Sequence, residues 1–188
     1  MDHTMKVWYD TEFLEDGRSI ELISIGIIRQ DGNTYYAVNR EAPWNRIAGH
    51  DWLVKNVVRH LPIATSSAGW IPNFTHELYK PRTQIAAEVL EFLVGSDPSG
   101  MIPHLELNAY YAAHDHVALM GLWGAMVDAP EGIPWYTRDL KVEADRLGLS
   151  NKSEGWPQQD PELEHNAMFD ALHDREIDKF LREQANGR

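Results

Sequence analysis

The 188-residue sequence lacks cysteine, lacks long apolar runs and is poor in basic residues. Without cysteine, the chain excludes a disulfide framework, a thiolate metal site and a cysteine nucleophile. No apolar run approaches the roughly 20 residues that a membrane-spanning helix needs, and residues 1–6 lack the apolar core of a signal peptide. These absences predict a cytoplasmic protein with no membrane segment.

The shortage of basic residues limits how the chain can bind nucleic acid. It has 17 Lys and Arg against 29 Asp and Glu, a formal charge of −12, whereas polyanion binding normally relies on cations at the phosphates. Residues 40–82 are the exception, because Lys and Arg there outnumber acidic residues by three and stand among three histidines and five aromatic residues. This basic and aromatic helix-loop segment fits a nucleic-acid path only a few nucleotides long.

The order of apolar segments predicts an α/β fold in a single domain, residues 1–188. Hydrophobic residues make up 43% of the chain, which suffices for a sizeable core. Three strands joined by short turns open the chain and predict a three-stranded antiparallel meander. Helices and strands then alternate, which predicts a five-stranded mixed sheet flanked by helices. The predicted strands are residues 5–13, 20–29, 34–38, 105–113 and 135–140; the predicted helices are residues 51–60, 83–94, 116–123 and 166–184, with another through Val142 and Leu147; residues 63–81, 97–100 and 148–163 are predicted to be loops or turns.

A pair of carboxylates at the end of the first predicted strand is the main candidate for a functional site. Asp10 and Glu12 stand two residues apart, so a strand would place both side chains on the same side of the sheet. Two like charges in that position repel each other unless a cation lies between them, and carboxylate oxygens suit Mg²⁺ or Mn²⁺. The alternative is a strand with an acidic, solvent-exposed face.

Two later segments could add further ligands and a base. Asp115 lies where the fourth predicted strand gives way to a helix, a favoured position for site residues in α/β sheets. The alternative for Asp115 is a helix N-cap. His165 precedes Asp170 by five residues, so it is predicted to lie at the mouth of the last helix or in the loop before it. The alternative for this pair is a surface histidine beside an unrelated aspartate.

Other histidines offer competing interpretations. His114 and His116 flank Asp115 and suggest zinc, but a D-x-E strand pair with a distant H-x4-D does not form a usual zinc site. His173 and Asp174 are predicted to be an exposed polar pair on the last helix.

In their order along the chain, Asp10-Thr11-Glu12, Asp115 and the pair of His165 and Asp170 resemble the motifs of the DEDDh 3′→5′ exonuclease superfamily. This superfamily has a ribonuclease H-like fold and includes polymerase proofreading subunits, ribonuclease T and oligoribonuclease. The resemblance implies a single DEDDh exonuclease domain.

Three segments are similar to a narrower group, the actinobacterial 3′ exoribonucleases of the ribonuclease AS type. They are residues 9–26, 84–93 and 115–124. The resemblance spans most of the chain, although residues 42–81 and 150–164 are divergent or extended.

The resemblance implies a metal-dependent enzyme that hydrolyses phosphodiester bonds from the 3′ end of RNA by a two-metal mechanism. Asp10 would bridge two Mg²⁺ or Mn²⁺ ions because it is expected to lie deepest in its strand, and Asp115 would act directly or through water. His165 would take the proton of the attacking water. The implied metal ligands are Asp10, Glu12, Asp115 and Asp170, and the candidate substrate-binding residues are Thr11, Phe13, Arg59, Lys80 and Arg82.

The expected substrates are single-stranded RNA 3′ ends or 3′ overhangs, and the resemblance suggests a homodimer. Two alternatives remain open from the sequence. A DNA 3′→5′ exonuclease of proofreading or repair type would use the same residues, because 2′-hydroxyl recognition has no motif here. A catalytically silent ribonuclease H-like module could bind nucleic acid without cleaving it.

Overall fold

The computed structural model describes residues 4–67, 69–95 and 104–187. Its eight strands form a six-stranded mixed sheet, in the order β6-β3-β2-β1-β7-β8, and a separate hairpin of β4 and β5. The strands are β1 Thr4–Glu15, β2 Ile20–Arg29, β3 Thr34–Asn39, β4 Ile63–Ser66, β5 Gly69–Pro72, β6 Tyr79–Lys80, β7 His104–Ala109 and β8 Arg138–Asp139.

Among these described residues, six α-helices accompany the strands, and two single turns of 3₁₀-helix cover Val58–His60 and Met126–Asp128. Within the described part of the chain, no helix has the length and apolarity needed to cross a membrane. The helices are α1 Trp44–Ala48, α2 Asp51–Asn56, α3 Arg82–Val94, α4 Ala113–Gly121, α5 Leu140–Arg146 and α6 Ala167–Asn186.

The predicted antiparallel meander is confirmed, since β1 pairs with β2 and β2 with β3 in antiparallel register. β7 then adds to the other side of β1 in parallel, which gives the predicted mixed sheet. This architecture is consistent with the ribonuclease H-like fold that the resemblance implies.

The predicted count of five strands is wrong, because β6 adds a sixth strand at the sheet edge through two residues paired with β3. The predicted loop over residues 63–81 is wrong for the same reason, and it also contains the hairpin of β4 and β5. Both features consist of very short pairings, which leave too few residues for a period-two pattern to show. The predicted turn over residues 97–100 lies outside the described residues.

The predicted helix over residues 51–60 is interrupted at Val57, where α2 gives way to a 3₁₀ turn. Two consecutive β-branched valines at this point are poor helix formers. The short helix α1 was not predicted, because a five-residue segment is too short for helical periodicity. The predicted fifth strand shrinks to the two residues of β8.

Strand β1 lies at the centre of the sheet and separates two layers of apolar side chains. Val7 and Tyr9 belong to the core on the face covered by α3 and α4, whereas Trp8 belongs to the core with α5 and α6. The alternation continues along β1, so Asp10 and Glu12 follow Trp8 on the α6 face. The fold therefore turns both carboxylates toward the beginning of α6.

Candidate active site

Asp10 and Glu12 form the base of the site, on the same face of β1 as predicted. Glu12 is buried, with 8% of its surface exposed, while Asp10 is half-buried. Asp10 lies farther from the end of β1 than Glu12 does, although Glu12 is the less exposed of the two. A β-bulge follows between Glu12 and Phe13, and such irregularities re-aim side chains beside functional sites.

Asp115 reaches the site from the first turn of α4 and is held by β1. Its Oδ1 accepts hydrogen bonds from the backbone N–H of Thr11 at 3.0 Å and from the Thr11 hydroxyl at 2.6 Å. The helix N-cap is Ala112, so the N-cap interpretation of Asp115 is wrong. Thr11 thus joins the third carboxylate to the strand that carries the first two.

Asp170 enters from the first turn of α6, whose N-cap Asn166 accepts a hydrogen bond from the backbone N–H of Met168. The amide nitrogen of Gln159 donates to Oδ1 of Asp170 at 2.6 Å. Gln159 lies in the segment before α6 and was not predicted to contact the site. Its amide fixes the orientation of the carboxylate at the cavity.

Gly26 permits the close approach of α6 to the sheet. It pairs with Asp10 across β1 and β2, and a Cβ at this position would lie less than 3.0 Å from backbone atoms of Ala167 and Met168. No side chain fits between the strand and the first turn of the helix. The sequence carries a signal for this, because an isolated glycine in a β-branched strand often marks close backbone approach.

His165 lies in the turn before α6, where the sequence predicted it, and has a left-handed backbone with φ of 66°. Potential ligand atoms of Glu12, His165 and Asp170 all lie within 4.8 Å of one another. The alternative of an unrelated surface pair is therefore wrong. The ring of Trp52 packs edge-on against His165 with centroids 4.8 Å apart.

These side chains line one open cavity of about 310 Å³. Seven of the ten candidate site residues line it, together with three aromatic or imidazole side chains that the sequence did not assign to the site. The lining residues are Asp10, Thr11, Glu12, Phe13, Trp52, Tyr111, His114, Asp115, His165 and Asp170.

Arg59, Lys80 and Arg82 are not among the lining residues. Arg59 contacts Glu162 and the carbonyl of Pro161. Lys80 forms an ion pair with Glu88 on α3, at 2.5 Å. Arg82 donates to the carbonyl oxygen of Gly121. The structure thus gives each of these three cations a partner within the chain and leaves the cavity acidic.

The carboxylates of the cavity destabilise one another's charged forms. Burial, and then the charges of Asp115 and Glu12, raise the pKa of Asp10 well above its usual range. Burial and the neighbouring Asp170 do the same for Glu12, and burial raises the pKa of Asp115 to about 6 even though Thr11 donates to it. No Lys or Arg belongs to the described lining of the cavity, so a cation from solution would relieve this repulsion.

The competing histidine interpretations receive different outcomes. His114 stacks on Phe13 with ring centroids 5.7 Å apart, whereas Nδ1 of His116 lies 3.0 Å from the hydroxyl of Thr137. Among the described residues, the group able to hold a metal includes neither histidine. The pair of His173 and Asp174 was predicted to be exposed, and this is wrong for both residues, because His173 is half-buried and Asp174 is buried.

Asp174 is only 5% exposed, and its carboxylate accepts a hydrogen bond from the backbone N–H of Tyr110 at 2.8 Å. It follows Asp170 by four residues, which places both on the same face of α6. That spacing was visible in the sequence and would have predicted its burial.

No protein-family model matches the sequence. Two curated 3′-5′ exoribonucleases of Mycobacterium tuberculosis, one from strain CDC 1551 / Oshkosh and one from strain ATCC 25618 / H37Rv, are similar to it. Each is 40% identical over 139 residues, which cover 73% of this chain and 72% of the relative. With this identity and coverage, the chain belongs to the family of these 3′-5′ exoribonucleases.

Proposed function

We propose that this protein is a metal-dependent 3′→5′ exoribonuclease of the DEDDh type, close to the ribonuclease AS group, acting on single-stranded RNA or 3′ overhangs. The observation that carries the proposal is the convergence of four carboxylates and one histidine, distant in sequence, on one cavity. The exoribonuclease names of the two relatives support the choice of RNA.

The donor set of the cavity suits a pair of hard divalent cations. Asp10, Glu12, Asp115 and Asp170 would hold two Mg²⁺ or Mn²⁺ ions, because carboxylate oxygens are the preferred ligands of both metals. When bound, the ion pair supplies stabilisation for the attacking and leaving oxygens of an in-line displacement at phosphorus. The raised carboxylate pKa values agree with a site whose charged form is stabilised by a bound cation.

His165 is proposed to accept the proton of the attacking water. Its ring lies at the cavity beside Glu12 and Asp170, close enough to reach a water held among them. Thr11 keeps Asp115 in place through two hydrogen bonds, and Gln159 orients Asp170 through one.

Phe13 and Thr11 are proposed to contact the 3′-terminal nucleotide. Phe13 lines the cavity and stacks on His114 with their planes 12° apart, which offers a flat platform beside the acidic cluster. Contacts of Arg59, Lys80 and Arg82 with a longer strand stay a prediction. A single domain over residues 1–188, a cytoplasmic location and a homodimer also stay predictions, and light scattering of the purified protein tests the last.

The decisive experiment uses 5′-labelled single-stranded RNA and DNA of the same sequence, each with Mg²⁺, Mn²⁺ or a chelator. We expect a ladder of shortened, labelled RNA products with either metal, slower shortening of DNA, and no reaction with chelator. Faster shortening of DNA would favour the proofreading type of enzyme. No cleavage of either substrate with any metal would contradict the proposed function and favour a silent binding module.

A further inference from the structure

The segment that leads into α6 contacts α2 and the 3₁₀ turn after it through three side chains, Trp52, Arg59 and His60. We propose that these three residues, here called the bracket, position His165 for the reaction. The inference rests on the proposed function of His165, and it assigns Arg59 to the loop rather than to substrate phosphate.

Arg59 holds the segment through its guanidinium group. Nη2 donates to the carbonyl oxygen of Pro161 at 3.3 Å, and Nη1 lies 3.4 Å from Oε2 of Glu162. Since the side chain of Glu162 is 83% exposed, the ion pair itself contributes little. The forked geometry matters more, because one side chain reaches a main-chain and a side-chain oxygen of consecutive residues.

His60 contacts the residue immediately before the histidine of the active site. Its Nε2 lies 2.9 Å from the carbonyl oxygen of Glu164 and 3.0 Å from Nε of Arg59. A carbonyl only accepts and Nε of Arg59 only donates, so Nε2 serves one of these two neighbours at a time. It donates to Glu164 when it carries the proton, and it accepts from Arg59 when it does not. Burial lowers the pKa of His60, which favours a neutral ring with a single N–H.

Trp52 completes the bracket from the side of the cavity. Its ring packs edge-on against His165 and lines the same cavity, although 49% of the residue remains exposed. The contact therefore places an aromatic ring directly against the imidazole at the edge of the cavity.

The backbone of His165 explains why the loop needs such support. A φ of 66° is unfavourable for a residue with a side chain and persists only where the surroundings hold it. The bracket binds the chain before His165, and the N-cap Asn166 fixes the chain after it. The four carboxylates lie on β1, α4 and α6, whereas His165 lies on a turn and depends on these contacts.

Kinetics of single variants test this role. In Arg59→Ala and His60→Ala we expect kcat to fall about 10-fold to 100-fold, because small displacements of a catalytic group are costly, while KM and Mg²⁺ affinity by calorimetry stay unchanged. His60→Gln should recover most of kcat, because its amide can still donate to Glu164. Arg59→Lys should not, because an ammonium lacks the fork.

The matched control is Arg146→Ala, which removes an exposed arginine paired with Glu143 on α5 and should leave kcat and KM unchanged. A raised KM with normal kcat in Arg59→Ala would overturn the proposal and return Arg59 to phosphate binding. A kcat unchanged in both His60 variants would overturn it as well.

A second readout does not depend on RNA cleavage. A glutamyl endopeptidase cuts after Glu162 and Glu164, the residues that the bracket contacts. We expect faster cleavage there in Arg59→Ala and His60→Ala, with wild-type rates in His60→Gln and in the Arg146→Ala control. Equal cleavage rates in all variants would refute the bracket even if RNA hydrolysis were normal. Faster cleavage in a protein that never hydrolyses RNA would support the bracket and contradict only the proposed function.

Discussion

Two positions along α6, in its first turn and near its middle, place carboxylates in opposite surroundings. Asp170 and Asp178 lie two turns apart on the same helix face, with Asp174 between them. All three side chains face the same sheet. Their positions on the helix are therefore alike, and only the side chains that surround them differ.

Asp178, near the middle of the helix, is neutralised by the protein itself. It is 1% exposed and accepts hydrogen bonds from Nε1 of Trp8 at 3.2 Å, from Nη1 of Arg138 at 2.6 Å and from Nε of Arg182 at 2.8 Å. The two guanidinium groups also pair with Glu143 and Glu106, so the protein itself supplies the positive charges of this cluster, which joins α6 to β1 and β8.

Asp170, in the first turn, faces other carboxylates instead. Its side-chain partner is the neutral amide of Gln159, and burial raises its pKa. The same fold that supplies two arginines to Asp178 supplies none to the lining of the cavity. A buried charge that no neighbouring group compensates is costly unless a cation from solution binds beside it. The contrast with Asp178 therefore indicates that the acidic residues of the cavity are not a chance group of surface carboxylates.

The largest expected effect comes from removing the charges of Asp170 and Asp178 one at a time. Asp170→Asn should lower RNA hydrolysis by more than about 100-fold, since it removes a proposed metal ligand, and should keep the melting temperature at or above that of the wild type. Asp178→Asn should keep RNA hydrolysis near the wild-type rate but reduce stability by about 2–3 kcal/mol. It removes the buried carboxylate that Arg138 and Arg182 share and leaves these arginines only Glu143 and Glu106 as charged partners.

Activity assays and thermal unfolding of the two variants distinguish these outcomes. Undiminished cleavage by Asp170→Asn would refute the proposed active site. If Asp178→Asn lost activity without losing stability, Asp178 would serve the reaction and the contrast with Asp170 would be wrong.

A smaller effect is expected at Gly26, which serves only the Asp170 end of the helix. Gly26→Ala puts a methyl group against backbone atoms of Ala167 and Met168, so the first turn of α6 must shift. We expect kcat to fall about 10-fold to 100-fold, with a stability loss of about 1–3 kcal/mol. A control, Ala144→Gly on α5, opens space away from the cavity and should cost about 1 kcal/mol without a comparable loss of kcat.

The parts of this comparison that the sequence could predict are those with local patterns. The β-branched run and the Asp-Gly turn gave the bounds of β2 as the structure has them, residues 20–29. Three local features predicted a shared site: the D-x-E pair, the strand-to-helix position of Asp115, and the five-residue spacing of His165 and Asp170. The five residues that they contain line one cavity in the structure. Their roles stay proposals.

The remaining features depend on contacts between distant segments. Arg59 and His60 contact Glu162 and Glu164, which lie about a hundred residues later in the chain. No local pattern in residues 40–82 or 150–164 predicts these contacts. The edge strand β6 consists of two residues whose pairing with β3 is visible only in the folded chain. Net charge along the sequence likewise suggested a basic surface, whereas the structure pairs several of those cations within the chain.

The next effect, smaller again, concerns pH in the absence of metal. The folded-state pKa of Asp115 is raised to about 6, so the folded protein holds this proton more tightly than the unfolded chain, whose aspartates titrate near 3.9. Between these values ΔG of unfolding must fall as pH rises, and we expect a loss of about 1–2 kcal/mol from pH 5 to pH 7 in chelator.

Saturating Mg²⁺ should reduce this slope, because the cation replaces the proton as the partner of the carboxylates, and at ten times its Kd it should add about 1.4 kcal/mol. Melting curves at pH 5, 6 and 7 with chelator or Mg²⁺ measure both effects. If stability changes with pH equally in chelator and in Mg²⁺, the carboxylates that titrate in this range do not bind the metal. Asp115→Asn should flatten the slope in chelator, whereas Asp178→Asn should not.

The smallest expected effect tests whether cations outside the cavity also serve RNA. Lys80 and Arg82 already have partners, Glu88 and the carbonyl of Gly121, so they have limited freedom to bind phosphate. In the double variant Lys80→Ala/Arg82→Ala, we expect apparent KM to rise about threefold at low salt and to match the wild type near 0.3 M salt, where exposed charges are screened. The control Arg146→Ala/Arg175→Ala removes the same charge from ion pairs on α5 and α6, away from the cavity lining. An equal rise of KM in both double variants would mean that only net charge attracts RNA, whereas unchanged kinetics in the first at low salt would confine substrate recognition to the cavity.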